Sequence, residues 1–462
     1  MNQDKNIVII GCGAAGGAAA QFARKTDRKS SITIFEKGKY TQYSKCGIPH
    51  AISNVIPKIN DLIEFDENWF KKANIELFLE TTVEKINTKK QIIYAKKGND
   101  KIQKTYTSVI ICTGAEPSIP KIENIQKNNT LVDGVFVVRT INDAKNISKN
   151  IVKGKKAVII GAGLIGLEMA DTLFNKGMKV TIVEALPCVL SNNLDCDMSE
   201  IILKQIPQDI TIHTNNVITK VETKNNKIKK VFIKNNETKD IKKLDTDLII
   251  ISTGTHPNVE LAKDIGCKIG KTGGIIVNNK SETSVKSVYA VGDCTQYIDF
   301  ITAKPTLIGL GSITVRQGIA AGINAAGGNY ELPKGVLNTS TSQFFGIEMA
   351  TVGPVTNTIK DDFSLLAGRF NGLSLPDYHP GGKPISVKVI ADKYTGMIMG
   401  AQCVGDKAAQ RINTFACAIL AGLDVETFRK LETAYAPPIA PTLDAITLAC
   451  DIVALKLNRK QG

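Results

Sequence analysis

Along this chain, short solid apolar runs are each followed by a glycine-rich turn or a longer mixed stretch. In "NIVIIGCGAAGGAAAQFA" the run Ile7–Ile10 has no polar interruption, as expected of a strand covered on both faces. The small residues after Gly11 predict a helix packed closely against that strand, and "SITIFE" predicts a second buried strand ending at Glu36. The rhythm repeats in "KAVIIGAGLIGLEMADTLFNKGMKVTIVEA", whose second strand ends at Glu184. "VIICTGAEPSIP" (109–120) and "LIIISTGTHPN" (248–258) read as buried strands ending in Thr-Gly. "SVYAVGDCTQYIDF" (287–300) is a strand ending in Gly292-Asp293, and a helix is expected from near Ser312. By contrast, "KNNKIKKVFIKNNETKDIKK" (224–243) alternates like a solvated hairpin.

At 462 residues the chain is too long for one ordinary core, and two to four domains are expected. Hydrophobic residues at 43% and charged residues at 22% describe a soluble globular protein. The opening "MNQDKNIVII" leaves no room for a signal peptide, and "FACAILAGL" falls well short of the roughly 18–20 apolar residues of a membrane span. The expectation is a cytoplasmic protein that neither crosses membranes nor binds nucleic acid. The formal charge of +14 does not alter that, because the lysines are scattered through polar stretches; an anionic, phosphate-bearing small molecule is the better match.

Each glycine turn has a specific chemistry. Gly11-x-Gly13-x-x-Gly16 allows a tight turn, close backbone approach to a pyrophosphate and close packing of helix on sheet. The following helix offers amide donors and a positive dipole end to the phosphates. Glu36 stands 36 − 16 = 20 positions after the last glycine, the offset at which an acid meets a ribose hydroxyl. Gly161-x-Gly163-x-x-Gly166 with Glu184 repeats the set, and an acid there repels a 2′-phosphate, favouring NADH over NADPH. Two dinucleotide sites on one chain point to electron transfer from a nicotinamide to a flavin. Asp293, at a strand end, is placed to hold a polyhydroxyl chain such as ribitol.

Ten cysteines occur without a C-x-x-C pair, beside only four histidines, which argues against a metal site. Most, as in "VIICTG" and "TFACAIL", are expected to be small core residues. Cys46 in "QYSKCGIPH" is the exception. Pro49 suits the first turn of a short helix "PHAISNV", which with adjacent Lys45 favours a thiolate.

With these pieces in order, the chain resembles the flavin-dependent pyridine nucleotide–disulfide reductase superfamily over its whole length. "YSKCGIP", "YHPGGK" (378–383) and "AYAPP" (434–438) resemble the single-cysteine branch of NADH oxidases, NADH peroxidases and coenzyme A-disulfide reductases, nearest to archaeal-type members. The resemblance implies an α/β fold: two Rossmann-like, doubly wound three-layer domains plus a C-terminal α+β dimerisation domain. FAD would belong to 1–118 with 250–330, NADH to 119–249, and dimerisation to 331–462. It further implies that Gly11, Gly13 and Gly16 face the FAD pyrophosphate and Glu36 its adenosine ribose, with Ala15, Lys37 and Cys46 as further cofactor contacts. Thr113 and Gly114 would lie along the FAD and Asp293 would bind its ribitol, with Gly254 and Gly292 as further cofactor contacts. Gly161, Gly163, Ile165, Gly166 and Glu184 would hold NADH, with Glu168 near the nicotinamide. The helix near Ser312 would point its N-terminus at the flavin pyrimidine edge.

Two-cysteine relatives carry C-x4-C, but five positions after Cys46 stands Ala51, and the last hundred residues hold one histidine, His379. A lone redox cysteine must cycle through a mixed disulfide with a small thiol or through a sulfenic acid. Ala15 stands where peroxidases place a histidine, Leu164 where many relatives place an aromatic gate, and Lys45 and Ile439 where coenzyme A-disulfide reductases carry asparagine and tyrosine. Tyr435 and Tyr378 remain as proton donors to a leaving thiolate across a homodimer. Coenzyme A phosphates would need cations, for which Arg24, Lys25, Lys45, Lys58, Lys71 and Lys72 are candidates. The expected activity is NADH-dependent reduction of coenzyme A disulfide, a persulfide or a polysulfide. The alternatives are an NADH oxidase using O2 and an electron-transfer reductase for a protein such as rubredoxin.

Overall fold

The structure, a computed structural model, describes residues 5–459, which form two units. In the first (to Ser118, Val138–Ser148 and Gly254–Val336), Asn6–Ile10 is the centre of a five-stranded parallel sheet. Ser31–Phe35 and Glu76–Phe78 lie to one side, Ser108–Ile111 and Val288–Ala290 to the other. The solid apolar run is explained by what covers each face. Ile7 and Ile9 pack with Ala19, Ala20 and Ala23 of the helix Ala14–Thr26. Val8 and Ile10 pack with Val83, Ile86 and Ile93 of an antiparallel three-stranded layer. Ile9 is fully buried; such burial contributes roughly 1.5–3 kcal/mol, so Ile9→Ala would cost about that plus a cavity.

The second unit (Ile119–Val137, Lys149–Thr253 and Leu337 onward) repeats the plan. Its parallel sheet runs Val135–Val137, Leu248–Ile251, Lys156–Ile160, Lys179–Val183, Thr211–His213. The lysine-rich segment differs from a fully solvated hairpin. Asn216–Lys224, Lys227–Asn235 and Ile241–Asp245 form a three-stranded antiparallel sheet. Its turn passes through left-handed Asn225 and Asn226, and Val221, Ile228, Val231 and Ile233 are buried beneath it. The lysines occupy the open positions; the inner positions, too few to stand out among them, hold the sheet down.

The C-terminal part of this unit is an antiparallel sheet in the order Ser340–Phe344, Ile347–Val352, Ile398–Gly405, Pro384–Asp392, Leu365–Leu373. Helices Ala408–Leu420 and Ala445–Asn458 accompany it, the first through buried Ile412 and Phe415. The α/β class with two nucleotide-fold sheets and a C-terminal α+β part is therefore as expected. Among the described residues, no helix is long and apolar enough to cross a membrane.

The cysteines depart from expectation in two places. Cys188 and Cys196 form a disulfide, and Cys417 is exposed on its helix. Cys12, Cys112, Cys267, Cys294, Cys403 and Cys450 are buried.

Candidate active site

The two glycine turns build the same cradle. Gly11 (φ 108°) and Gly161 (φ 99°) turn in the left-handed region, where a side chain would be strained. A Cβ on Gly16 would lie 1.9 Å from the Gly11 carbonyl oxygen, and one on Gly166 would lie 2.1 Å from that of Gly161. Only hydrogen lets each helix start so close to its strand. Gly13 and Gly163, the N-cap residues, face no protein atom within 4 Å. That open side, rimmed by backbone amides at a helix N-terminus, fits a pyrophosphate.

The acids are placed alike. Glu36 accepts from Cys12 N (2.7 Å) and Gly38 N (2.7 Å); Glu184 accepts from Ala162 N (2.6 Å) and Leu186 N (2.8 Å). Each carboxylate is thus oriented at the mouth of its glycine loop, leaving lone pairs for ribose hydroxyls.

Around the first cradle, Thr113 and Gly114 follow the strand Ser108–Ile111. Asn258 donates to Thr113 O (3.0 Å) and accepts from its hydroxyl (2.7 Å) through its own carbonyl. Gly254 turns at φ 87° with open space beside it. Lys37 pairs with exposed Glu116 at 2.8 Å. Gly292, left-handed at φ 80°, sits where a Cβ would press on Thr314 (3.2 Å) and Ala15 (3.3 Å). The helix Gly311–Ala325 begins one residue before the expected Ser312.

Two residues of this site were not found from sequence. Arg139 binds Asp293 at 2.7 Å, with both side chains under a fifth exposed, while its Nε is buried without a protein partner. Gln317 Oε1 accepts from Gly292 N (2.7 Å), Thr295 Oγ1 (3.1 Å) and Tyr297 OH (3.0 Å). The only sequence signal for Arg139 is a cation directly after the apolar run "VFVV"; Gln317 gives none. The Asp293–Arg139 pair and the orphaned Nε fit the polar middle of an extended dinucleotide such as FAD.

Cys46 is exposed on the segment that leads into the short helix Ile48–Ser53, with Pro49 in its first turn as expected. Neighbouring Lys45 has its ammonium pKa drawn down toward about 8, first by desolvation and then by the like charge of Arg139, against the opposing pull of Asp293, Glu36 and Glu116. The side chain is exposed, so water limits the desolvation that draws the pKa down. These influences gather Lys45, Arg139, Asp293 and Glu36 around one cradle, and Cys46 follows Lys45 directly in the chain.

In the second unit, Glu168 accepts from Ser342 Oγ at 2.5 Å, and Ile165 is 43% exposed at the helix start. Tyr378 and Tyr435 meet hydroxyl to hydroxyl at 3.0 Å, both exposed, and that bond raises the Tyr378 pKa from its ordinary value. Of the candidate coenzyme A cations, Arg24 gives its guanidinium to the carbonyls of Ala73, Asp27, Arg28 and Asn74. Lys58, Lys71 and Lys72 are exposed.

Paired dinucleotide cradles on parallel sheets, one with a cysteine beside it, define a flavin- and nicotinamide-dependent oxidoreductase. The chain belongs to the pyridine nucleotide-disulphide oxidoreductase family, whose model matches residues 5–317; the family's dimerisation-domain model matches 339–445. It is 37% identical to an NADH oxidase of Methanocaldococcus jannaschii, over 98% of this chain and 99% of that one. It is 32% identical to a CoA-dependent NAD(P)H sulfur oxidoreductase of Pyrococcus furiosus, again over 98% and 99%. Among solved structures, an NAD-dependent persulfide reductase from A. fulgidus superposes with a TM-score of 0.92 at 31% identity, covering 99% of this chain and 84% of that one.

Proposed function

We propose that this protein is a cytoplasmic homodimeric NADH-dependent reductase of a low-molecular-weight disulfide, with coenzyme A disulfide, a persulfide or a polysulfide as substrate. The observation that carries this reading is Cys46: an exposed cysteine, without a C-x4-C partner, on the segment beside the first cradle. The names of relatives that match nearly the full chain support the same substrate class.

In this reading Gly11, Gly13, Ala15, Gly16, Glu36, Lys37, Thr113, Gly114, Gly254, Gly292 and Asp293 hold FAD. Gly161, Gly163, Ile165, Gly166, Glu168 and Glu184 hold NADH. When bound, FAD supplies two-electron chemistry between the nicotinamide and sulfur. Lys45 stabilises the Cys46 thiolate by charge. That thiolate attacks one sulfur of the substrate; the S–S bond breaks, Cys46 keeps one half as a mixed disulfide, and the other half leaves as a thiolate. The Tyr378–Tyr435 pair of the second subunit offers the proton. Two electrons then return Cys46 to thiolate and release the second thiol.

Intact-mass spectra of the purified holoprotein test the reading, with and without reductant. A loss matching coenzyme A or added sulfur from Cys46 is expected. A loss of one oxygen, from a sulfenic acid at Cys46, instead supports the oxidase reading, which the Methanocaldococcus jannaschii relative favours. An unchanged mass, with full disulfide turnover by Cys46→Ser, overturns both.

A further inference from the structure

The loop from Ala185 to Asp195 joins Glu184 to the helix Cys196–Leu203, and it is fastened at three levels. At its near end, Leu186 N donates to Glu184, and Leu190 N donates to Ala162 O at 2.9 Å. Ala162 is the residue whose own N–H binds Glu184, so loop, acid and glycine turn share one backbone unit. At its far end, the Asp195 carboxylate accepts from Thr356 N (2.8 Å) and Thr356 Oγ1 (2.6 Å) and pairs with largely covered Lys388 (2.8 Å). Between these anchors, the Cys188–Cys196 disulfide closes the loop on itself. Leu190, held at φ 55°, occupies a left-handed conformation that a non-glycine residue adopts only under restraint. Val189, Leu190 and Leu194 are buried, whereas both cystine residues are half-buried.

We propose that Cys188–Cys196 is a reversible thiol–disulfide switch that sets the affinity of the second cradle for NADH. This deepens the disulfide-reductase reading and rests on it. The reductant is a small thiol, the product class of that reaction. One thiolate attacks a sulfur of the cystine and breaks its S–S bond; a second thiol resolves the mixed disulfide. Two protein thiols form, and two small thiols are oxidised to one disulfide. Closed, the cystine holds Leu190 against Ala162 and keeps Glu184 aimed at the ribose. Opened, the loop gains freedom and the strained Leu190 relaxes away from the glycine turn. Accumulating thiol product thereby slows NADH uptake, and accumulating disulfide substrate restores it.

The test uses FAD-loaded wild-type enzyme, equilibrated in oxidised or reduced dithiothreitol and then desalted without air. Alkylation with peptide mapping reports the state of Cys188 and Cys196. Stopped-flow bleaching of the flavin against NADH concentration reports half-saturation. Reduction is expected to raise half-saturation roughly tenfold, with the limiting rate within about twofold. Cys196→Ser is expected to show the raised value and no response to dithiothreitol. Equal half-saturation in both wild-type states overturns the proposal, as do thiols at 188 and 196 that alkylate fully after oxidation. Should the variant fail to fold, the wild-type comparison alone decides. A protein whose flavin is not bleached by NADH in either state refutes the broader reductase reading, an outcome distinct from unchanged half-saturation.

Discussion

The two glycine cradles share strand order, glycine spacing and the grip of the acid on a loop amide, yet they are covered differently. Over the first, the helix Ala14–Thr26 is crossed by Gly311–Ala325, where Cβ atoms on Gly318 and Gly322 would lie 2.4 Å from Ala15 O and 2.3 Å from Ala19 O. Backbone meets backbone, and Ala15 is 6% exposed. The second helix, Leu164–Asn175, instead meets the C-terminal strand region through polar bonds, Ser342 to Glu168 and Phe345 N to Asp171 (3.0 Å), and leaves Ile165 exposed. The more deeply covered helix start suits a prosthetic group that stays; the more exposed one suits a cosubstrate that must leave each turnover.

The strongest way to break this contrast is to damage each cradle in the same way. Gly16→Val is expected to yield protein without flavin, or none at all, because its Cβ has only backbone to displace. Gly166→Val should keep flavin absorbance while NADH half-saturation rises on the order of 100-fold. Equal flavin loss in both would erase the assignment of FAD to the first cradle and NADH to the second.

Next in size, Glu184→Ala removes the acceptor for Ala162 N and Leu186 N and should raise the KM for NADH by roughly 10- to 100-fold, with flavin content unchanged. Glu36→Ala should instead lower flavin occupancy, read as the 450 nm to 280 nm absorbance ratio after dialysis.

Asp195→Asn sharpens the comparison from the stability side. Burial pushes the Asp195 carboxyl up, but bonds from Lys388 and Thr356 outweigh it and leave the pKa below its ordinary value. A depressed carboxylate contributes stability above its unfolded pKa of about 4, and loses that contribution as pH falls through the folded value. The variant should therefore cost roughly 1–3 kcal/mol at neutral pH in denaturant unfolding, with the difference narrowing in acid. Asp197 limits the loss, since it also reaches Lys388 at 2.7 Å.

The smallest expected effect is at Lys45. Its charge is present below its pKa, which lies under the ordinary lysine value, so kcat/KM for disulfide reduction should fall as pH climbs past about 8. Lys45→Arg should move that falling limb upward by about one pH unit or more. An unmoved limb removes Lys45 from the stabilisation of Cys46.

Both cradles were legible in the sequence because each is local: an apolar run, three spaced glycines and an acid all lie within one strand–helix–strand unit. Arg139 was not legible, because its meaning comes from Asp293, 154 positions away. Gln317 likewise acts on residues about 20 positions upstream, across a helix and a loop. The Cys188–Cys196 pair, eight apart around the start of a helix, follows no motif that marks a cystine. Tyr378 and Tyr435 were singled out one at a time, and the fold supplied their contact. In the lysine-rich segment the hairpin was legible but its seating was not, since only Ile228, Val231 and Ile233 are buried there among many lysines.

The edge strand Val288–Ala290 belongs to the same sheet as Asn6–Ile10, which has consequences during synthesis. At about 5–20 residues per second, a ribosome that has delivered Ile111 needs on the order of ten seconds or more to supply that last strand. Throughout that interval the nascent sheet lacks the partner that Val288–Ala290 later supplies along Ser108–Ile111, so this margin stays unpaired until the chain is well past its midpoint.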